Sequence, residues 1–251
     1  MKSSQQWVSY FKENLEMKRI NWQQPATITG SELKAVLKSL QAWQLGETSD
    51  GKNLLKASSV YAEKIDDPYY LKAVTLFIKE EQKHGNNLGT YLDMISKPRI
   101  KKNWGDTLFR KIRYLNNSME WWTLAVISVE STAQVFYQSL KDATQCKLLK
   151  EICTDILIDE APHIRFQHER LSVIFHSKTM AAQKITYYFY KFFFLSTSII
   201  VWFAHRKLFK AGGNDFRKYF RKVRMKCAKT IGKLKYGYTE MYSLQSFEGI
   251  N

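Results

Sequence analysis

Glu80-Glu81-Gln82-Lys83-His84 and Asp159-Glu160-Ala161-Pro162-His163 decide how this chain folds. Each contains Glu-x-x-His, and each lies in a run of helical periodicity. Residues three apart share one helix face, so Glu81 with His84, and Glu160 with His163, can each present a carboxylate and an imidazole to one point. A lone Glu-x-x-His says little; two of them need context. The context is the apolar seam. Val74, Phe77, Glu81, His84, Leu88, Tyr91 and Ile95 alternate steps of three and four, as a helix facing a bundle core does. Cys153, Ile156, Glu160, His163, Gln167, Leu171 and Ile174 follow the same pattern with one wider step. The polar groups stand where apolar ones belong. A buried carboxylate must be protonated, paired with a cation or bound to a metal.

A four-helix bundle that holds two metals draws one further carboxylate from each remaining helix. The chain offers Glu47, on the seam with Leu40, Trp43 and Leu54, and Glu130, on the seam with Val126, Ala133 and Tyr137. The order along the chain is Glu, Glu-x-x-His, Glu, Glu-x-x-His. In this order and spacing, residues 30 to 175 resemble the ferritin-like di-iron carboxylate superfamily, which includes ferritins, rubrerythrins and di-iron oxygenases. The resemblance implies an all-α, ferritin-like four-helix bundle with a long crossover and extra C-terminal helices. It implies two iron ions, with manganese as the alternative, on Glu47, Glu81, His84, Glu130, Glu160 and His163. Glu81 and Glu160 would bridge, Glu47 and Glu130 would be terminal ligands, and each histidine would take one metal. It also implies that the acid before each motif glutamate serves the histidine of the opposite helix, pairing Asp159 with His84 and Glu80 with His163. The alternative is that Glu80 and Asp159 are solvent-exposed acids. Tyr91 and Tyr137, each seven residues from a ligand position, are read as core residues with a redox role left open.

Four Pro, eleven Gly and no clear period-two runs agree with an all-helical chain. The three cysteines include no Cys-x-x-Cys, so no rubredoxin-type iron site is encoded, unlike rubrerythrin. Cys146 and Cys153 are too far apart on one helix for a disulfide, roughly 10 Å along its axis. A reducing cytoplasm fits, and residues 1–20 lack the apolar core of a signal peptide.

The sequence divides into an N-terminal extension (1–29), the bundle (30–180) and an aromatic then basic region (181–251). The extension predicts a short amphipathic helix with Trp7, Tyr10, Phe11 and Leu15 on the bundle. Thr29, Ser31 and Glu32 mark a helix start, and that first bundle helix is expected to run to about Lys64 through Gly46 and Gly51. These glycines serve either close packing or open space beside the metals; Asp50 is either near the metals or held by a neighbouring lysine. Asp66-Asp67-Pro68 opens a second helix to about Ser96, residues 97–117 form the crossover, and further helices span 118–140 and 145–176. Trp121 and Trp122 read as packing residues. Pro162 predicts a kink or bulge beside His163.

The net charge of +16 is uneven: residues 181–251 hold 14 Lys and Arg against 3 Asp and Glu. The charge split and the Gly212-Gly213 break set this region apart from metal binding. Ile185 to Ala204 reads as a buried or docked helix, a peripheral membrane contact or a span. The basic helix after Asp215 is a solvated face or meets an anionic membrane or nucleic acid, such as the tRNA that some di-iron hydroxylases of this superfamily modify. A homodimer is also allowed. The expected function is a non-haem di-iron oxidoreductase that activates dioxygen for an unidentified organic substrate and takes electrons from a donor. The alternatives are an iron-binding or ferroxidase protein in storage or detoxification, and a di-iron protein with a membrane-surface or tRNA partner. The expected location is cytoplasmic, peripheral to a membrane or anchored in it.

Overall fold

Side-chain caps set where the helices begin. The structure, a computed structural model, describes residues 1–235; the last part of the aromatic–basic region, 236–251, lies outside the described residues. Helix α1 spans Ser4–Leu15 behind a Ser3–Gln6 capping box. α2 spans Gly30–Glu47 behind the Thr29–Glu32 capping box, in which each partner satisfies an otherwise orphaned N–H. α3 is Lys52–Lys64, α4 is Pro68–Met94 with proline in its first turn, and α5 is Trp104–Arg113 capped by Asn103. Ser118 caps α6 (Met119–Asp142), and α7 is Lys147–His176. Thr179 caps α8 (Met180–Ala211), and Asp215 caps α9 (Phe216–Lys229) before a short 3₁₀ turn at Ile231–Lys235. No strand occurs among the described residues.

The fold is the ferritin-like one. α2 with α3, then α4, α6 and α7 make the bundle, and the connection from α4 to α6 is the long crossover. Two expectations need correction. The first bundle helix does not continue to Lys64. It stops at Glu47, and Gly51 turns the chain at φ 66°, where a Cβ would also meet Ile78 Cδ1 at 2.6 Å; glycine takes that backbone most readily. Within the crossover, Trp104–Arg113 folds as α5, amphipathic but too short to stand out from a basic loop. α7 runs without a break past Pro162. The bond that proline cannot make would go to Ile158, an exposed residue whose carbonyl water can serve.

The apolar core forms two clusters, and the polar motifs lie between them. One cluster gathers Trp7, Phe11, Tyr70, Phe77, Trp122 and Phe166 at the end where α1 packs on α4. The other holds Leu88, Tyr137, Ile156, Phe194, Phe209 and Tyr219. Glu80 to His84, Glu130 and Asp159 to His163 occupy the layer separating them along α4, α6 and α7. The larger cluster continues into Val223, Cys227, Ile231 and Leu234. The charge split in the sequence therefore does not coincide with a break in the core. At Gly212 the chain passes so close to Ser139 that a Cβ would sit 2.4 Å from its carbonyl oxygen.

Candidate metal centre

Each bundle helix brings its seam acid to the same layer. Glu47 is the last residue of α2, Glu81 and His84 lie one turn apart on α4, Glu130 is on α6, and Glu160 and His163 are one turn apart on α7. Ligand atoms of Glu47, Glu81 and His84 lie within 4.8 Å of one another, and so do those of Glu81, Glu130 and His163. The two groups share Glu81. Glu160 belongs to neither triad, but it is fully buried and feels the charges of Glu130, Glu81 and Glu47. Of the two carboxylates expected to bridge, the geometry puts Glu81 in common and leaves Glu160 facing the others.

The histidines are fixed from behind. His84 Nε2 is 3.1 Å from Asp159 Oδ2, and His163 Nε2 is 2.7 Å from Glu80 Oε2. Each imidazole thus pairs with the acid of the opposite helix, and neither Glu80 nor Asp159 is exposed. If each Nε2 carries the proton it donates, each Nδ1 is left with a lone pair pointing inward. Both Nδ1 atoms are buried without a hydrogen-bond partner, as are Glu81 Oε1 and both oxygens of Glu160. His163 Nδ1 is 2.8 Å from Glu81 Oε1, without the alignment of a hydrogen bond.

Burial and mutual repulsion shape the charges. Burial pushes the Glu81 carboxyl well above its ordinary range, with Glu130 and Glu47 adding to the shift. Burial likewise raises Glu160, reinforced by Glu130, and raises Glu47. Burial pulls His163 down, but Glu81 and Glu80 outweigh it and lift the imidazole well above its usual value. Burial would raise Asp159, yet His84 and Asn14 hold it below the carboxylate range. Like charges crowded in a dry layer behave this way when no cation separates them. Two divalent ions would balance four carboxylates and give the unpaired nitrogens and oxygens a partner, so the donor set fits a pair of metals with nitrogen and oxygen preference.

Several participants were not foreseen from the sequence. Asn14 of α1 donates to Glu80 Oε1 at 2.9 Å and to Asp159 Oδ1 at 2.8 Å, bridging the two acids behind the histidines. Arg19 Nη1 reaches Asp155 at 2.8 Å and Asp159 at 2.9 Å, and its Nη2 donates to Asn14 Oδ1. A trace of this was present: Asn14 stands on the stripe of Trp7 and Phe11, a polar residue on an apolar face. Tyr137 donates to Glu47 Oε1 at 2.6 Å, whereas the buried Tyr91 hydroxyl has no partner. Asp50 pairs with Lys52 at the surface, 3.2 Å away. Trp122 is buried, and the indole of Trp121 donates to Ile112 O.

A cavity of about 170 Å³ opens against Glu47, Glu81 and Glu130. α5 contributes Phe109 and Ile112 to its wall, α6 Val129 and Ala133, and α8 Ile200 and Val201. Gly46 also lines it, and a Cβ there would meet nothing within 4 Å, which is the open-space reading of that glycine. Arg113 stands on the wall with its guanidinium over the rings of Phe109 and Trp122, at 4.7 and 5.5 Å. Its Nε has no partner, and burial pushes its pKa down.

Fold and residue layer together define an all-helical protein of ferritin-like architecture with a carboxylate–histidine centre. No family model matches the chain, and no curated protein is similar to it. Solved structures are. An R2-like ligand-binding oxidase without metal cofactor superposes with a TM-score of 0.65 at 17% identity, over 92% of this chain and 95% of that one. A variant of an R2-like ligand-binding oxidase with an aerobically reconstituted Mn/Fe cofactor gives a TM-score of 0.66 at 17% identity, over 92% of each chain. A second such variant, also aerobically reconstituted with Mn/Fe, gives 0.65 at 15% identity, again over 92% of each chain. At this identity the likeness concerns the fold.

Proposed function

We propose that this chain is a dimetal oxidase. Glu47, Glu81, His84, Glu130, Glu160 and His163 hold two iron ions, or iron with manganese, and an organic substrate enters the cavity beside them. One observation carries the reading: in one buried layer His84 Nδ1 and both Glu160 oxygens lack partners, and His163 Nδ1 and Glu81 Oε1 lie 2.8 Å apart without a hydrogen bond. An unpaired buried polar atom costs about 1–3 kcal/mol, and several together in a well-packed bundle call for a ligand. The structural neighbours include oxidases described with a Mn/Fe cofactor, which supports the choice of metals. When bound, the metal pair supplies the two electrons that reduce dioxygen.

The chain's own residues do the rest. Glu81, common to both triads, would be shared by the two ions, and Glu160 would add a carboxylate from the opposite helix. Tyr137 fixes Glu47 by donating to it, and Asp159 and Glu80 orient the imidazoles. The apolar cavity walls keep water from the site and select an apolar substrate, with Arg113 as the cation beside them. The cavity supports this reading over iron oxidation and storage, which needs no organic binding space.

The test is anaerobic loading with Fe(II), alone and with Mn(II), followed by metal analysis and dioxygen uptake against candidate apolar substrates. Two metals per chain and substrate-dependent uptake support the reading. Ala204→Phe, which fills the cavity at its α8 wall, should then keep its metals and lose the substrate dependence. Repeated turnover of ferrous iron that is unchanged by Ala204→Phe, with no organic product, would favour the ferroxidase reading instead.

A further inference from the structure

α8 is apolar on two sides. Tyr190, Phe194, Trp202 and Leu208 are buried in the core shared with the bundle. Ile185, Tyr188, Phe192, Ile199 and Phe203 are 36% to 74% exposed. Their spacing keeps these five on one side of the helix, and at 1.5 Å per residue the strip is about 27 Å long. Single exposed apolar residues are ordinary, but five along one side of a helix, interrupted only at Leu195 and Ser196, are not. Among the described residues α8 is the one helix long and apolar enough to cross a membrane by length and composition. Crossing would strip its other side from the core, so the strip is suited to lie along a surface rather than to pass through one.

The surrounding charge says which surface. Between Met180 and Lys235 there are 14 Lys and Arg and a single acidic residue, Asp215. Arg206, Lys207 and Lys210 are exposed beyond Phe203, past the kink in α8 at His205. α9 lies along α8 in the opposite direction: Tyr219 Oη donates to Ser198 O at 2.8 Å, Trp202 meets Phe216, and Lys235 sits over the Tyr187 ring. Arg217, Lys218, Arg221 and Arg224 are exposed on α9, with Phe216 and Met225 exposed among them.

We propose that this face docks on an anionic lipid bilayer. The aromatic strip of α8 lies at the boundary between headgroups and acyl chains, and the bases of α8 and α9 meet the lipid phosphates. A second copy of the chain would set one basic surface against another. A nucleic acid would match the charge and leave the apolar strip in water. An anionic bilayer satisfies both. α8 also lines the cavity beside Glu47, Glu81 and Glu130 through Thr197, Ile200, Val201 and Ala204. The lipid-facing side and the cavity therefore lie on one helix, whose diameter is about 10 Å. Docking stands on the surface alone and does not depend on the metal chemistry proposed above.

The test is flotation of the full chain with vesicles of phosphatidylcholine, with and without phosphatidylglycerol. The wild type should float with the anionic vesicles and not with the neutral ones. Phe192→Ser with Phe203→Ser, and separately Arg217→Glu with Arg221→Glu, should each weaken binding about tenfold or more, with unchanged thermal unfolding. If the phenylalanine pair unfolds, Ile185→Ser and Arg217→Glu serve the same purpose at other exposed positions. Absence of flotation, equal binding to neutral vesicles, or full binding by the folded variants would overturn the proposal. So would a wild-type dimer that the phenylalanine variant dissociates, or nucleic-acid retention without vesicle binding.

Discussion

Glu130 faces Glu81 and Glu160 across the polar layer and adds to the burial that raises both. Removing it relieves that repulsion. Glu130→Ala is therefore expected to lose metal while its metal-free form keeps or gains thermal stability. Were Glu130 half of a structural ion pair, the same change would strand a buried cation at a cost of roughly 3–5 kcal/mol. Chelator-treated unfolding of both proteins, with metal content determined first, separates the two. The pH dependence follows from the same groups. A carboxyl raised by folding stabilises the fold while protonated and loses that contribution as pH rises through its folded-state pKa. Glu81 and Glu160 behave this way, and the raised His163 acts in the same direction. The depressed Asp159 loses its contribution only as pH falls below the carboxylate range. The chelated protein should thus become less stable as pH rises above about 5, and Glu130→Ala should flatten that decline. Stability of the chelated wild type that increases over this range would contradict the assignment.

At the scale of elements, α1 reaches the centre without belonging to the bundle. Asn14→Ala would leave Glu80 Oε1 and Asp159 Oδ1 without that donor. The expected cost is about 1–3 kcal/mol of stability and about 10–100-fold in metal affinity, read by urea unfolding and by competition with a chelator. An Asn14→Ala protein with unchanged metal affinity would make α1 a packing element only. Gly46 on α2 carries the opposite expectation: with open space at its Cβ, Gly46→Ala should raise stability by up to about 1 kcal/mol and leave metal content unchanged. The seams were legible because helical period and burial act on every residue in the same way, so six polar residues out of place stood out at Glu47, Glu81, His84, Glu130, Glu160 and His163. The end of α2 was not, because it depends on one glycine at positive φ against Ile78. Nor were Arg19 and Asp155, whose meeting across 136 positions no local pattern records.

For the whole molecule, two apolar clusters enclose a polar layer, and α8 and α9 extend the larger one. Tyr219, Val223, Cys227, Ile231 and Leu234 are buried in it. Removal of residues 216–251 is therefore expected to destabilise the bundle by several times the roughly 1.5–3 kcal/mol of one large apolar side chain, seen as a lost or broadened thermal transition. A truncated chain that melts like the full one would show that α9 only rests on the core. The basic composition of this region is a surface property, carried on helices whose inner sides are as apolar as the bundle's own. The proposed metal centre lies in the layer those clusters enclose. The direct measurement is a crystal structure of the protein loaded anaerobically with Fe(II), with anomalous scattering recorded at the iron edge. The result expected is two ions about 3–4 Å apart, bound by Glu47, Glu81, His84, Glu130, Glu160 and His163, with Nδ1 as the ligand atom of each histidine. A single ion, no ion, or iron held elsewhere while these six side chains pair among themselves would contradict it.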